Sequence, residues 1–216
     1  MSRARHRTPL AEDGWTTPDA VLEGTWTTLV RGAASAKSAF HAPALATVSP
    51  DGAPDVRTVI LRVCEPESRT LVCHTDRRSP KLDHLAAEPR VGWLFYDASR
   101  KVQVRATAIA SVHAEDALAD ARWEASSLSS RRCYLAPFIP GGETPADHDG
   151  PHPNLPTDIS DRLPTDAETA PGRAKFAVIR TQITSLDWLY LRYDGHRRAR
   201  FTWDNDGALT AAWVMP

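Results

Sequence analysis

Arg57-Thr58-Val59-Ile60-Leu61-Arg62 and, one strand later, His74-Thr75-Asp76-Arg77-Arg78-Ser79-Pro80-Lys81 are the stretches on which the reading of this chain turns. The first alternates outward and inward side chains, the period of a strand. The second leaves a strand, turns, and opens a helix at Pro80, whose fixed φ suits a first helical turn. Groups that bind anions crowd that turn: Thr75, Arg77, Arg78, Ser79 and Lys81. Together they imply a β-framework carrying a receptor for a phosphate-bearing ligand.

Working outward, residues 44–48 form a short strand entered after Pro43, and Ser49-Pro50-Asp51-Gly52 turns the chain. Residues 55–63 return as a second strand and 69–74 form a third. Strand, tight turn, strand is an antiparallel meander, not a βαβ unit. A helix over 18–36 precedes it, with Val21, Trp26, Leu29 and Val30 on one face, Thr17 or Asp19 near its start and Gly32 near its end. The helix opened by Pro80 has Leu82, Leu85 and Ala86 as its apolar stripe and stops at Glu88-Pro89. A fourth strand spans 91–96 and a fifth spans 101–113. In the fifth, Val102, Val104, Ala106 and Ala108 alternate with Gln103, Arg105 and Thr107, as in a sheet buried on one side only. Residues 114–127 read as an alanine-rich helix carrying Trp123. The C-terminal part, 175–216, returns to strands over 176–183, 185–193, 199–203 and 209–214, with a hairpin turn at Asp204-Asn205-Asp206-Gly207.

The expected architecture is thus a single domain over 1–216, mainly β with flanking helices. Residues 141–173 stand apart as a Pro- and acid-rich loop or lid. His148 and His152 sit there beside Asp147 and Asp149 and read as solvated loop residues, so no metal site is expected.

Composition narrows the function classes. Lys+Arg 26 against Asp+Glu 27 leaves a formal net charge of -1, so no global field draws nucleic acid or an anionic membrane. Cys64, Cys73 and Cys133 cannot all pair and show no CxxC spacing; the first two lie in apolar runs and read as small buried thiols. A reducing cytoplasm is the expected setting. Residues 1–15 are basic at first but lack the apolar core of a signal peptide. No run approaches the roughly 20 apolar residues that cross a bilayer, so a soluble protein is expected.

Chemistry concentrates in four places. Arg57 and Arg62 face opposite sides of a regular strand, so both serve one face only if a bulge intervenes; as plain surface charges they need no common partner. Around the helix start, backbone N–H groups, the helix dipole and nearby cations make a phosphate receptor, with a capped helix and solvated basic face as the plainer alternative. Gln103 and Arg105 point the same way, a planar amide and a donor fork suited to the carbonyl and ring-nitrogen edge of a flavin, while taken singly each reads as an exposed strand residue. Trp188, ahead of Arg192, His196, Arg197, Arg198 and Arg200, is either core or a cover for an aromatic ring.

These places, in this order, resemble the pyridoxamine 5'-phosphate oxidase-like family of FMN-binding split β-barrels. The matching residues are Arg57-x-Val59-Ile60-Leu61-Arg62, His74-Thr75-Asp76 with Arg78-Ser79-x-Lys81, Phe95-Tyr96 with Gln103-Val104-Arg105, and Trp188 with the run to Arg200. The resemblance covers residues 20–140 and resumes at 175. It implies a homodimer with FMN at the subunit interface and a small-molecule substrate or electron donor. By position, Arg57, Val59, Ile60, Leu61, Thr75, Ser79, Lys81 and Gln103 would hold FMN, together with Arg62, His74 and Arg105 of the same motifs. Arg78 would be a further phosphate contact, and Trp188 with Arg198 or Arg200 would reach the flavin from the partner.

The likeness weakens where the vitamin B6 enzyme binds its substrate. That enzyme ends the first motif in lysine, where this chain has Arg62; its Tyr-x-x-x-Arg-x-x-x-Ser pattern is missing around Trp123 to Arg131; and its terminal Arg-x-His falls on Arg197-Arg198-Ala199. The implied function is a flavin-dependent oxidoreductase of an unspecified substrate, more like the family's less characterised bacterial branch. Pyridoxamine 5'-phosphate oxidation and FMN binding without catalysis are the alternatives. No side chain stands out as a catalytic acid or base.

Overall fold

The longest strand, β7 (Phe176–Tyr190), organises the molecule, which a computed structural model describes over residues 14–143, 155–159 and 162–216. The other strands are β1 (Ala44–Val48), β2 (Pro54–Thr58), β3 (Leu61–Glu65), β4 (Thr70–Asp76), β5 (Arg90–Asp97), β6 (Val102–His113), β8 (Arg197–Trp203) and β9 (Leu209–Val214). All pair antiparallel in the order β2-β1-β5-β6-β7-β4-β3, with β8 and then β9 branching from β7. From Val178 to Tyr190 β7 pairs β6; on its other edge the first half pairs β4 and the second half pairs β8. One strand thereby serves two diverging sheets, which splits the barrel.

Two strand expectations change. Residues 55–63 are not one strand, because the chain leaves β2 at Val59 and Ile60 before entering β3. There the Val59 and Leu61 N–H groups donate to the carbonyls of Pro43 and His41, each at 2.9 Å. Since β2 and β3 end the strand order on opposite sides, this covalent crossing closes the barrel without a ladder between them. Conversely, 176–183 and 185–193 are one strand. The break is a bulge at Thr184, between the pairs Thr107↔Ser185 and Ala108↔Ile183, and the Thr184 hydroxyl donates to the Thr107 carbonyl at 3.1 Å.

The core follows the alternation read in the fifth strand: Val102, Val104, Ala106 and Ala108 are buried, beside Trp93, Phe95, Leu45 and Leu61. Helix α1 (Pro18–Ala34) covers one side, burying Val21, Thr25, Leu29 and Gly32 at helical spacing. The Thr17 hydroxyl caps its start by accepting from the Ala20 N–H. Gly32 lies inside the helix, where a Cβ would come 2.8 Å from the Phe40 carbonyl oxygen, so only glycine fits that approach.

Helix α2 (Lys81–Ala87) follows the Pro80 turn. Instead of one helix over 114–127, α3 (Ala117–Glu124) starts at an Asp116 cap and is followed by the short α4 (Leu128–Arg131) and a 3-10 turn, Arg132–Leu135. A second apolar cluster joins Trp123 on α3 with Val72, Phe176 and Val178. The described part of 141–173 is not all loop: it holds a 3-10 turn, Thr157–Ile159, and α5 (Asp166–Thr169), begun by a reciprocal cap between Thr165 and Glu168. Asp147, His148, Asp149 and His152 lie outside the described residues. Among the described residues, no helix is long and apolar enough to cross a membrane.

Candidate functional site

Where β4 runs into α2, the backbone places two hydroxyls and an ammonium together. Lys81 Nζ donates to Ser79 Oγ at 2.6 Å and to Thr75 Oγ1 at 3.0 Å. Thr75 and Ser79 are buried, and burial, then the charge of Arg57, lowers the pKa of Lys81. Among the described residues no carboxylate forms an ion pair with this cation, and Ser79 keeps its hydroxyl proton to donate. The group lines a cleft of about 520 Å³ together with Arg57, Ile60, His74 and Asp76. Because α2 has only seven residues, side chains rather than a long helix dipole make this end of the cleft cationic.

Arg57 reaches the cleft from β2 and is held from behind. Its guanidinium donates to Thr47 Oγ1 at 2.8 Å and to the Leu45 carbonyl at 3.1 Å, and pairs with Asp55. Thr47 in turn lies 3.0 Å from His84 Nδ1. These groups fix the fork toward the cleft, and sequence reasoning missed Thr47 and Asp55 because their roles depend on the β1–β2 register.

A bulge does occur at Arg62, but Arg62 is not among the residues that line the cleft. The β3–β4 register jumps between Leu61 and Val63, leaving Arg62 as the extra residue. Its guanidinium lies 3.5 Å from Ser130 Oγ and acts on His74. Burial, then the charges of Arg62 and Arg122, lower the His74 pKa from 6.5 to about 4. His74 Nε2 is buried without a hydrogen-bond partner among the described residues, and its ring meets Phe176 edge-on at 4.8 Å.

A pH prediction follows from His74. Between pH 6.5 and about 4 the unfolded chain takes up a proton that the folded ring excludes, so stability falls as pH is lowered through that window. His74→Gln should remove this contribution, giving a shallower loss of denaturation midpoint than the parent shows. Parallel profiles for the two proteins would mean that the ring titrates normally.

The far wall was not legible in the sequence. Cys133, Tyr134, Ala136 and Pro140 line the same cleft, and Tyr134 packs on Trp123 and Phe176. The run from Arg131 to Pro137 has neither helical nor strand period, so nothing marked it. Arg78, expected at the phosphate, is bonded elsewhere: it donates to Asp76 through Nε and Nη2 and to the carbonyls of Ala136 and Pro137. Of the first motif, Ile60 and Val59 line the cleft, whereas the Leu61 side chain is fully buried in the core.

The remaining candidates form a second cluster on the outer face of β6, β7 and β8. Asp187 accepts from Arg198 at 2.8 Å and Arg105 at 3.1 Å, with Arg200 at 3.8 Å. The arginines lower the Asp187 pKa against the opposing effect of its burial. Gln103 stands half-buried on the same strand face as Arg105. Arg105 and Arg200 end a separate groove of about 450 Å³ floored by Ala44, Ala46, Val56 and Leu94. The protomer does not bring this cluster to the Lys81 cleft. Trp188, expected beside the ligand, points into the core at 2 % exposure, packed on Trp15, Tyr190 and Trp213.

Comparison with known proteins bears on this geometry. Residues 23–114 match the domain family described as "Pyridoxamine 5'-phosphate oxidase, FMN-binding domain". That span holds Arg57, Thr75, Ser79, Lys81 and Gln103 but not the β7–β9 arginines. A pyridoxine/pyridoxamine 5'-phosphate oxidase from Bradyrhizobium diazoefficiens is 38% identical over 103 residues, 47% of this chain and 46% of that protein. Its namesake from Rhodopseudomonas palustris (strain BisB18) is 40% identical over 91 residues, 42% of this chain and 41% of the relative. The chain thus spans about half the length of the curated relatives it matches. Among solved structures, a pyridoxamine 5'-phosphate oxidase-related FMN-binding protein from Nostoc punctiforme PCC 73102 aligns at TM-score 0.68 and 22% identity over 90% of this chain and 96% of that one. PhzG from Burkholderia lata 383, solved in complex with tetrahydrophenazine-1-carboxylic acid, aligns at 0.63 and 18% identity over 100% of both chains. At such identities the likeness is one of fold. Residues 23–114, which carry the Lys81 turn, are thus similar to that FMN-binding domain, and the chain shares the split β-barrel fold of these neighbours.

Proposed function

We propose that the Lys81 cleft binds FMN by its terminal phosphate and that the protein is a flavin-dependent oxidoreductase of a small-molecule substrate. The observation that carries this is the convergence of Lys81, Thr75, Ser79 and Arg57, from β2 and the β4–α2 turn, on one end of a single cleft. Two cations and two hydroxyls suit a phosphate dianion, which would relieve the desolvation that lowers the Lys81 pKa. His74 Nε2, which has no hydrogen-bond partner among the described residues, offers a further hydrogen bond at the same cleft. About 520 Å³ lies within the roughly 300–1,000 Å³ of cofactor sites. The donor set therefore fits the cofactor.

When bound, FMN supplies hydride or electron transfer, and the chain binds and orients it. Arg57 and Lys81 would hold the phosphate, and Ile60, Val59 and Tyr134, which line the same cleft, would pack against the rest of the cofactor and shield it from water. His74, neutral at pH 7, acts there as an uncharged hydrogen-bonding group. In a homodimer the partner's outer face would supply Gln103, Arg105, Arg198 and Arg200 opposite the cleft, completing the site. Trp188 then serves the fold from the core side of β7.

Oxidation of pyridoxine or pyridoxamine 5'-phosphate, the activity in the names of the curated relatives, is the second reading. It needs a second phosphate receptor, and Arg78, the nearest further arginine of the motif, is held by Asp76, Ala136 and Pro137. Oxygen uptake with pyridoxamine 5'-phosphate would decide for it. For the first reading, FMN is titrated into flavin-free protein and the complex is passed through a sizing column. One flavin per chain should travel with a dimer. Flavin eluting apart from the protein would refute the proposal.

A further inference from the structure

We propose that Arg78, seconded by Lys175, is a positioning residue that clamps the far wall of the cleft onto the phosphate-binding turn. The inference rests on the reading of this cleft as the FMN site. Arg78 belongs to the same turn as Thr75 and Ser79, yet its side chain bonds to Asp76, Ala136 and Pro137 rather than to the Lys81 group. Its own N–H and Nε donate to Asp76 Oδ1 at 2.8 and 3.0 Å, and Nη2 donates to Oδ2 at 2.7 Å. So oriented, the fork donates across the cleft margin to the carbonyls of Ala136 at 3.0 Å and Pro137 at 3.1 Å. Lys175 Nζ reaches the same Ala136 oxygen at 2.8 Å, and the Lys175 carbonyl accepts from the Arg77 N–H at 2.7 Å.

Two cations thus converge on one backbone segment that carries no charge of its own. That segment is the wall: Cys133, Tyr134, Ala136 and Pro140 line the cleft, and Ala136 is buried. Asp76 matters because it sets the plane of the guanidinium; a bidentate carboxylate leaves the opposite edge aimed at the two carbonyls. Lysine cannot reproduce this, since an ammonium has no rigid fork. A wall fixed to the turn that grips the phosphate moves with it, so a bound flavin leaves only when the clamp opens.

This role differs measurably from a phosphate contact. A phosphate ligand at Arg78 would matter for FMN and not for riboflavin, and Arg78→Lys would preserve much of its effect. A clamp acts on the wall over the ring, so Arg78→Lys and Arg78→Met should release FMN and riboflavin alike, each on the order of tenfold faster, with association rates unchanged. Stopped-flow fluorescence with each flavin reads this, and hydrogen exchange of residues 133–140 should accelerate in both variants. A defect confined to FMN, or exchange of 133–140 equal to that of the parent, would overturn the clamp. Should the parent take up no flavin, the FMN reading fails by itself. The exchange comparison then still decides the clamp on flavin-free protein: faster exchange supports it and unchanged exchange overturns it.

Discussion

Lys81→Met is expected to weaken FMN binding on the order of tenfold to a hundredfold while leaving riboflavin binding as it was. Methionine keeps the apolar stem that fills the space below the hydroxyls, so the variant isolates the ammonium. A hydrogen bond to a charged group contributes about 1.5–3 kcal/mol, and each 1.4 kcal/mol is about tenfold in affinity. The parent keeps this cation partly buried against Ser79 and Thr75, at a cost that lowers its pKa. Its loss therefore should not lower stability, and the denaturation midpoint is the control. Adding Arg57→Ala should abolish retained flavin, because both formal positive charges of the phosphate end are then gone. Fluorescence titration with the two flavins measures the effect, and an equal loss for both would show that Lys81 does not grip the phosphate.

Trp188→Ala is expected to cost about 3–5 kcal/mol of stability, the range for deleting a large aromatic side chain from a core. The indole is 2 % exposed and meets Trp15 edge-on at 5.2 Å, with Tyr190 and Trp213 beyond. The void would open on β7, the strand shared by both sheets. For a chain of 216 residues this amounts to a melting-temperature drop on the order of 10 °C. A fully stable variant that loses FMN would instead place the indole against the ligand.

Trp188 also illustrates where sequence reasoning stops. Its residue type and position within a strand are compatible with core or ligand, and only the pairing of Val104↔Trp188 and Trp188↔Ala199 assigns it to the inner face. The alternation of Val102, Val104, Ala106 and Ala108 was legible because each buried side chain leaves its period in the sequence. The break at Val59 and Ile60 was not, since its cause is pairing with Pro43 and His41 rather than a glycine or proline in the strand. The bulge at Arg62 was readable only as a condition, and its partner register supplies it. In the site, Thr75, Ser79 and Lys81 are close in sequence and came out together. Arg78 looked the same as they do, and differs because its partners are main-chain carbonyls nearly sixty residues on, which no residue type announces.

The most direct measurement is a crystal structure of the protein with FMN. The phosphate oxygens should lie within hydrogen-bond distance of Lys81 Nζ, Ser79 Oγ, Thr75 Oγ1 and the Arg57 guanidinium, with Arg78 still on Ala136 and Pro137. A flavin whose phosphate sits elsewhere, leaving Lys81 bonded only to Ser79 and Thr75, would contradict the account.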